Sequence, residues 1–260
     1  NGRIMMKKIR LIGLSVLIAA VVFVQGLPAL SLEEAQEILQ EIDAQKNFDQ
    51  TDFSAVMTMV SKDPEGGSEK SVVRMFRRDA EDAFLMLIQE PTVKKGQGYL
   101  NIGDNLWFYD PESRKFSHTS MNDKFNDSDV NNSDFRMSSL ADDYQVSSAE
   151  DGRLGSYEVY ILELEARNNE VTYPARRIWV STENRVILKS EDCSAGGRLL
   201  RTGYFPSYAK VGEDGYIATS RIFKDELIDG KQTSLQLTDI STRSLPDSIF
   251  TKSYVERVNR

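Results

Sequence analysis

Hydrophobic residues recur with two different periods along the chain. Between Leu32 and Ile42 they return every three or four positions, which is the spacing of one face of an α-helix. Ser31 and Glu34 form a capping-box pattern, in which each side chain bonds the backbone amide of the other residue. We therefore predict a helix that begins after Ser31 and ends near Asn47. Its apolar stripe must lie on another apolar surface.

From Phe53 onwards the period changes to two, which is typical of β-strands with one buried face. Turn residues such as Gly103, Asp104 and Asn105 separate the alternating segments. The predicted strands cover residues 53–60, 71–78, 83–90, 99–102, 106–109, 115–119, 157–164, 177–181, 186–191, 199–205, 216–223 and 234–240. Because helices do not alternate with these strands, the pattern predicts an antiparallel sheet that curls or closes, and argues against a parallel α/β fold.

A polar segment, MNDKFNDSDVNNSD, separates the two halves of the predicted sheet, and a short helix is expected after it at 138–144. Within this segment Asp127, Asp129 and Asn131 have the spacing of the first calcium ligands in an EF-hand loop. The twelfth position holds Ser138 instead of the bidentate glutamate that such a loop requires. We therefore favour a solvated loop over a calcium site.

The N-terminal residues have the pattern of an export signal. Four basic residues precede an uncharged apolar run at 11–24, and small residues follow that run. The run is short for a membrane span of about 20 residues, so we favour a cleaved signal peptide over an uncleaved anchor. We predict a signal peptide with an upstream extension at 1–31 and one domain at 32–260. This predicts a periplasmic location, and no cysteine lies close after the run to carry a lipid anchor.

The composition narrows the classes of partner. The chain carries 32 basic and 40 acidic residues and a formal net charge of −8. This argues against nucleic acid or an anionic membrane surface as the main partner, since both attract basic patches. Cys193 is the single cysteine, so an internal disulfide is impossible and the fold must depend on its core. We expect a monomer.

Motifs for catalysis are missing from the sequence. His118 is the single histidine, and the Gly-x-Ser-x-Gly and His-Glu-x-x-His patterns do not occur. Neither a cluster of histidines and cysteines for a metal nor a glycine-rich phosphate loop is present. We therefore predict no catalytic residue, no metal and no cofactor, and we favour binding over catalysis.

Several short motifs and the order of the elements point to a known family. The motifs are PTVKKGQGYL at 91–100, GDNLWFYDP at 103–111, SDF at 133–135, LADDY at 140–144, RIWV at 177–180 and PDSIFT at 246–251. Together with the leading helix, they resemble the outer-membrane lipoprotein-sorting protein family, the LolA/LolB-like proteins, and its branch found with RND-type (MMPL-like) exporters. The resemblance implies a mainly β fold with helices, in which α-helices cover the concave apolar face of an unclosed antiparallel β-barrel, or half-barrel. It also implies a lipid-binding cavity between sheet and helices.

We predict that one face of the sheet collects the apolar side chains that bind the lipid. Leu106 and Phe108 are expected on that face in step with Leu100 and Ile102, and flexible methionines suit an irregular apolar ligand. The predicted lipid-binding set is Phe53, Met57, Met59, Met75, Leu100, Ile102, Leu106 and Phe108 on the sheet, with Ile38 and Leu39 on the covering helix. The alternative is that these residues fill an ordinary core.

The sequence thus favours a periplasmic carrier that buries acyl chains of a lipid or lipoprotein without covalent chemistry. Each buried methylene contributes about 0.8 kcal/mol, so one acyl chain supports useful affinity. Two alternatives stay open, a lipid-sensing regulator on the same scaffold and a lipid-processing enzyme. An inner-membrane RND/MMPL-type exporter is a partner that the resemblance implies.

Overall fold

The computed structural model describes residues 30–48, 50–212 and 215–258. The predicted signal peptide therefore lies almost entirely outside the described residues. Within the described ranges, no helix is long and apolar enough to cross a bilayer.

Thirteen antiparallel strands form one sheet. They are β1 (Phe53–Lys62), β2 (Ser68–Arg78), β3 (Ala83–Glu90), β4 (Gly98–Ile102), β5 (Asn105–Asp110), β6 (Lys115–His118), β7 (Tyr144–Leu154), β8 (Tyr157–Ala166), β9 (Ala175–Ser181), β10 (Ile187–Cys193), β11 (Leu199–Val211), β12 (Gly215–Asp225) and β13 (Gln232–Ser241). Their order in the sheet is β6-β5-β4-β3-β2-β1-β13-β12-β11-β10-β9-β8-β7. Among the described strands β6 and β7 do not pair with each other, so the sheet stays open, as the family resemblance implies.

Three α-helices accompany the sheet in the described ranges: α1 (Leu32–Lys46), α2 (Leu140–Asp143) and α3 (Lys252–Arg257). The capping box of α1 is confirmed, because the amide of Glu34 donates to Ser31 Oγ at 3.2 Å and the Ser31 amide donates to the Glu34 carboxylate at 2.9 Å. The helix ends at the predicted place. The helix expected at 138–144 is present in shorter form as α2, whereas α3 was not predicted.

Helix α1 covers one half of the concave face of the sheet. Its stripe, which includes Ile38 and Leu39, is buried against apolar side chains of β7 to β10. The side chain of Gln36 also bonds the edge strand, since its Oε1 accepts from the amide of Val146 at 3.0 Å. The stripe therefore packs as predicted, but on the half of the sheet that lies far from β4 and β5 in strand order.

Residues 121–139, which we name the cover segment, lie over the other half of the concave face. Phe125, Val130 and Phe135 of this segment are buried in one cluster with side chains of β1 to β5. The Phe125 ring lies 4.6 Å from that of Tyr99 on β4, between ring centroids. The prediction of a solvated loop is therefore wrong.

Hydrogen bonds explain how so polar a segment is buried. The Asp129 carboxylate accepts from the Thr233 hydroxyl at 2.9 Å, and the Asn131 amide group donates to the Tyr173 hydroxyl at 2.7 Å. A buried polar group costs little once it is bonded, but these partners are distant in sequence. Two of the three residues with calcium-loop spacing, Asp129 and Asn131, are thus bonded to the protein itself. Within the described ranges, no group of three or more carboxylate, histidine or cysteine side chains is placed to hold a metal ion.

The register of the β4–β5 hairpin corrects one face assignment. Tyr99 lies opposite Phe108 and Ile102 opposite Asn105, so two residues, not three, form the turn. Because side chains alternate with period two, a shift of one residue exchanges the faces of one strand relative to the other. Leu106 and Phe108 therefore lie on the concave side as predicted. Leu100 and Ile102 do not lie on that side.

Leu100 and Ile102 lie on the convex face, contrary to prediction. Leu100 is buried there beneath the C-terminal residues Phe250 and Val255, and Ile102 is 40% exposed. Helix α3 and the turn before it thus cover the convex side of β2 to β5.

Strand β7 was missed in the sequence because it is an edge strand. Only Tyr144 and Val146 of its eleven residues are buried, so the alternation that identifies a strand is absent from most of its length.

A row of charged side chains ties the cover segment to the sheet. Asp192 on β10 accepts from Arg176 on β9 at 2.7 Å and from Arg201 on β11 at 2.8 Å. Arg201 also donates two hydrogen bonds, at 2.6 and 3.0 Å, to Asp134 of the cover segment. Burial disfavours the charged form of Asp134, but the charge of Arg201 and its hydrogen bonds hold the pKa of Asp134 below its ordinary value.

We predict that Arg201→Met lowers the free energy of unfolding by about 3–5 kcal/mol, because it leaves the Asp134 carboxylate in a poorly hydrated site without its cation. Urea unfolding at neutral pH measures the change. The matched control is Arg177→Met on β9, which breaks an exposed pair with Glu163 and should cost less than about 1 kcal/mol. Equal losses in the two variants would show that the buried row does not fasten the cover segment.

Candidate functional site

A cavity of about 250 Å³ lies between the concave face and its covers. Strands β9 to β12 form its floor, the C-terminal end of α1 forms one side, and the cover segment and the loop at 170–173 form the rest. The cavity sits where the cluster under α1 meets the cluster under the cover segment. It is therefore the place where the two halves of the core are least tightly joined.

The ten residues predicted to bind lipid do not line this cavity. Phe53, Met57, Met59, Met75 and Leu106 are buried in the core cluster beneath the cover segment, with Phe108 packed against it. Ile38 and Leu39 are buried in the cluster beneath α1. The structure thus separates the helix residues from the sheet residues. In this conformation both groups pack against protein.

Apolar side chains supply part of the lining. Phe205 on β11 packs against both core clusters and faces the cavity. Ile187, Ile217 and Phe223 from neighbouring strands surround it. This part of the lining is suited to hydrocarbon.

Basic side chains supply the other part. Arg77 and Arg176 line the cavity and are neutralised, the first by Asp79 at 2.6 Å and the second by Asp192. Lys46 and Arg221 also line the cavity. Within the described part of the chain, the side chains of these two residues form neither a hydrogen bond nor an ion pair, and Arg221 Nε is buried without an acceptor.

The electrostatic environment of the two unpaired cations is unfavourable. Burial, reinforced by the charges of Arg221, Arg176 and Arg77 and opposed by that of Asp43, lowers the pKa of Lys46 to about 8. Burial likewise lowers the pKa of Arg221, and Arg77 adds to the effect. The cavity therefore presents net positive charge on two side chains that are only partly exposed, so water screens this charge less than it would on the surface.

The lining offers binding groups and no recognisable catalytic set. Among the described residues, serines at 133, 138 and 139 border the cavity, but no histidine accompanies them as a base. His118 lies exposed on β6 with its ring 5.5 Å from that of Trp107, between centroids, outside this lining.

Hydrogen bonds fasten α1 to the end of the cover segment and to α2, which follows it. The Asp43 carboxylate accepts from the amides of Leu140 and Ala141 at 3.0 and 2.9 Å. Asn47 and Ser138 bond each other reciprocally, amide to carbonyl, at 2.7 Å in both directions. We name these contacts of Asp43 and Asn47 the latch. They are polar and reversible, so α1 and the cover segment can separate without breaking a covalent bond.

Comparisons with known proteins agree on the architecture. A family model described as "-like: Uncharacterized protein" matches residues 80–257. The LolA superfamily protein NE2245 from Nitrosomonas europaea is 27% identical, with a TM-score of 0.72 over 85% of this chain and 98% of that one. The chain belongs to the LolA superfamily. The expected open half-barrel with helices on its concave face is thereby confirmed.

Two further solved structures share this LolA-superfamily fold. A domain from Vibrio parahaemolyticus, assigned as an outer membrane lipoprotein-sorting protein, is 22% identical, with a TM-score of 0.78 over 87% of this chain and all of that one (100%). A DUF1329 family protein from Desulfovibrio piger is 18% identical, with a TM-score of 0.74 over 86% of this chain and 98% of that one. No curated protein sequence matches the chain significantly.

Sequence reasoning missed the basic residues of the cavity. The available signal is weak: Arg221 interrupts an apolar alternation two residues before Phe223, and Arg77 occupies an inward position opposite Phe53. A charge at an inward position is unusual enough to mark a candidate site. Lys46 carries no such signal, because a basic residue in the last turn of a helix is ordinary.

We predict that Lys46→Met raises the free energy of unfolding at pH 7 by about 1–2 kcal/mol, since the folded protein no longer holds a poorly hydrated charge. The native pKa of Lys46 lies below its unfolded value, so charging this residue costs stability below pH 8, and the cost fades as pH rises towards the unfolded pKa. Urea unfolding at pH 7 and pH 10 should show a gain that shrinks at the higher pH. Lys62→Met, at an exposed position on β1, is the control, and a gain of the same size in both variants would contradict the burial of the Lys46 charge.

Proposed function

We propose that this protein is a periplasmic carrier of an amphipathic lipid or of lipoprotein acyl chains. The observation that carries the proposal is the construction of the cavity: an open sheet holds it, and its covers are fastened by a latch of reversible hydrogen bonds. The names of the Nitrosomonas and Vibrio proteins with the same fold point to the same class of function. The periplasmic location and the exporter partner stay predictions of the sequence.

The size of the cavity implies that the covers move. At about 250 Å³ it lies below the usual range of about 300–1,000 Å³ for small-molecule pockets. Several acyl chains do not fit into this volume. Loading therefore requires α1 and the cover segment to separate, which would open the two apolar clusters to the ligand. Each methylene that then enters contributes about 0.8 kcal/mol, offsetting the contacts that are lost.

The residues predicted from sequence keep a role under this mechanism. In the closed form, Met57, Met59 and Met75 pack beneath the cover segment. Once the segment moves, these flexible side chains become the surface on which hydrocarbon lies. Their lipid contacts are thus proposed for the open form alone.

The composition of the cargo is tested directly by mass spectrometry of organic extracts of the protein purified from periplasm. A carrier should release an intact lipid or an acylated peptide. Extracts that contain no lipid, together with no binding of a fluorescent fatty acid by the delipidated protein, would contradict the proposal.

The latch provides a kinetic test. We predict that the double variant Asp43→Ala/Asn47→Ala releases a fluorescent fatty acid several-fold faster than the parent in a stopped-flow transfer to acceptor vesicles. It removes the hydrogen bonds that hold the covers together, each with a net value of about 1 kcal/mol.

Glu37→Ala, at an exposed position on the same helix, is the matched control and should leave the release rate unchanged. Circular dichroism of the sheet confirms that each variant is folded. Equal release rates from the folded latch variant and the parent would show that these contacts do not gate the cavity.

A further inference from the structure

Arg221 projects from β12 into the cavity without the partners that a buried arginine normally has. Its neighbour in register on β13 is Leu235, an apolar core residue. Its Nε is buried and bonds no acceptor in the described structure. A guanidinium carries five donors in a fixed fork, and leaving buried donors unsatisfied costs free energy. The buried Nε therefore contributes no hydrogen bond to the stability of the closed protein.

Lys46 approaches the same space from the end of α1. It lines the cavity, and the positive charges of Arg221, Arg176 and Arg77 repel its ammonium group. Two of these cations already have carboxylate partners. Among the described residues, the lining cations that lack a carboxylate partner are Lys46 and Arg221, contributed by the helix and by the sheet from two sides of one cavity.

The nearby carboxylates are occupied elsewhere. Asp79 is held by Arg77, and Asp192 by two arginines. Asp134 is held by Arg201. Asp43 accepts from the amides at the start of α2. Of the other carboxylates that line the cavity, Asp143 accepts from the Ser139 hydroxyl, and Glu170 is exposed and forms no ion pair with Lys46 or Arg221 in the described structure.

We propose that Lys46 and Arg221 bind the anionic group, a carboxylate or a phosphate, of the amphipathic ligand. This inference rests on the proposed carrier function and adds the chemistry of the ligand to it. A guanidinium bonds two oxygens of such a group in parallel, and the lysine ammonium adds a compact charge. The apolar wall at Phe205 and Ile217 adjoins the pair, so the hydrocarbon next to the anionic group would lie there.

The position of the pair explains why a destabilising arrangement is kept. An anion between Lys46 on α1 and Arg221 on β12 would attract both, and so draw the helix towards the sheet. After loading, the ligand thereby favours the return of α1 towards the sheet. Binding sites often retain residues that cost stability when empty.

The test compares palmitate with its methyl ester, which has the same chain but no charge, and with inorganic phosphate. Binding is measured by displacement of a fluorescent fatty acid and by calorimetry, on the parent, Arg221→Met, Arg221→Lys and the control Lys62→Met. We expect Arg221→Met to weaken palmitate binding roughly tenfold or more, the usual effect of losing a charged hydrogen-bonded contact. Binding of the ester should stay unchanged.

Arg221→Lys should lose less than Arg221→Met, because it keeps the charge and loses the fork. Thermal unfolding accompanies each measurement. Since Arg221→Met removes unsatisfied donors, it should be at least as stable as the parent, and a folded variant that loses palmitate but not ester supports the proposal.

Each other outcome has a distinct meaning. If palmitate and ester bind equally well to the parent and to Arg221→Met, the carrier proposal stands and the anion site is overturned. If neither amphiphile binds the parent, the carrier proposal is overturned, and with it the lipid assignment. If inorganic phosphate binds in an Arg221-dependent way and palmitate does not compete with it, the site takes a free anion and the assignment to a lipid is overturned.

Discussion

The contact between Arg201 on β11 and Asp134 in the cover segment is the interaction on which the rest of the structure depends. An open sheet leaves a wide concave apolar face, and α1 covers less than all of it. The remaining half is covered by the cover segment, which is polar and contains no α-helix or β-strand. Arg201 holds this segment because it bonds Asp134 and Asp192 at once. These ion pairs thus hold the cover segment on a sheet whose two edge strands, unlike neighbouring strands of a closed barrel, do not pair with each other.

This construction divides the core into two clusters. One lies under α1 and the other under the cover segment, and the cavity forms where they meet. Each cluster has its own cover, so the boundary between them opens when α1 and the cover segment separate. The polar latch at Asp43 and Asn47 lies at that boundary.

The charges at the boundary give the cavity a mixed character. Lys46 and Arg221 oppose folding in the empty protein, because both lose hydration without gaining a partner. Phe205 and its neighbours offer hydrocarbon a dry wall beside them. A purely apolar cavity would bind any chain, whereas this one distinguishes amphiphiles by the charge at one end. Stability and selectivity are therefore in opposition at this site.

Local pattern by itself determined α1, its capping box and most of the strands, because helix and strand periods depend on neighbouring residues alone. It also placed Met57, Met59 and Phe108 on the inward face. It failed at the β4–β5 turn, where one residue more or less in the loop exchanges the faces, and both choices satisfy the alternation at Leu100. It failed again at β7, an edge strand with few apolar positions.

The cavity itself was decided by the tertiary structure. The local sequence predicts a solvated cover segment, because the hydrogen-bond partners of the segment, Thr233 and Tyr173 among them, lie far away along the chain. Lys46 and Arg221 are separated by most of the sequence and come together only when α1 lies across the sheet. The pattern of apolar and polar residues reflects only interactions between residues that are close along the chain. Burial of a charge depends on which distant groups surround it, and the folded chain alone specifies those.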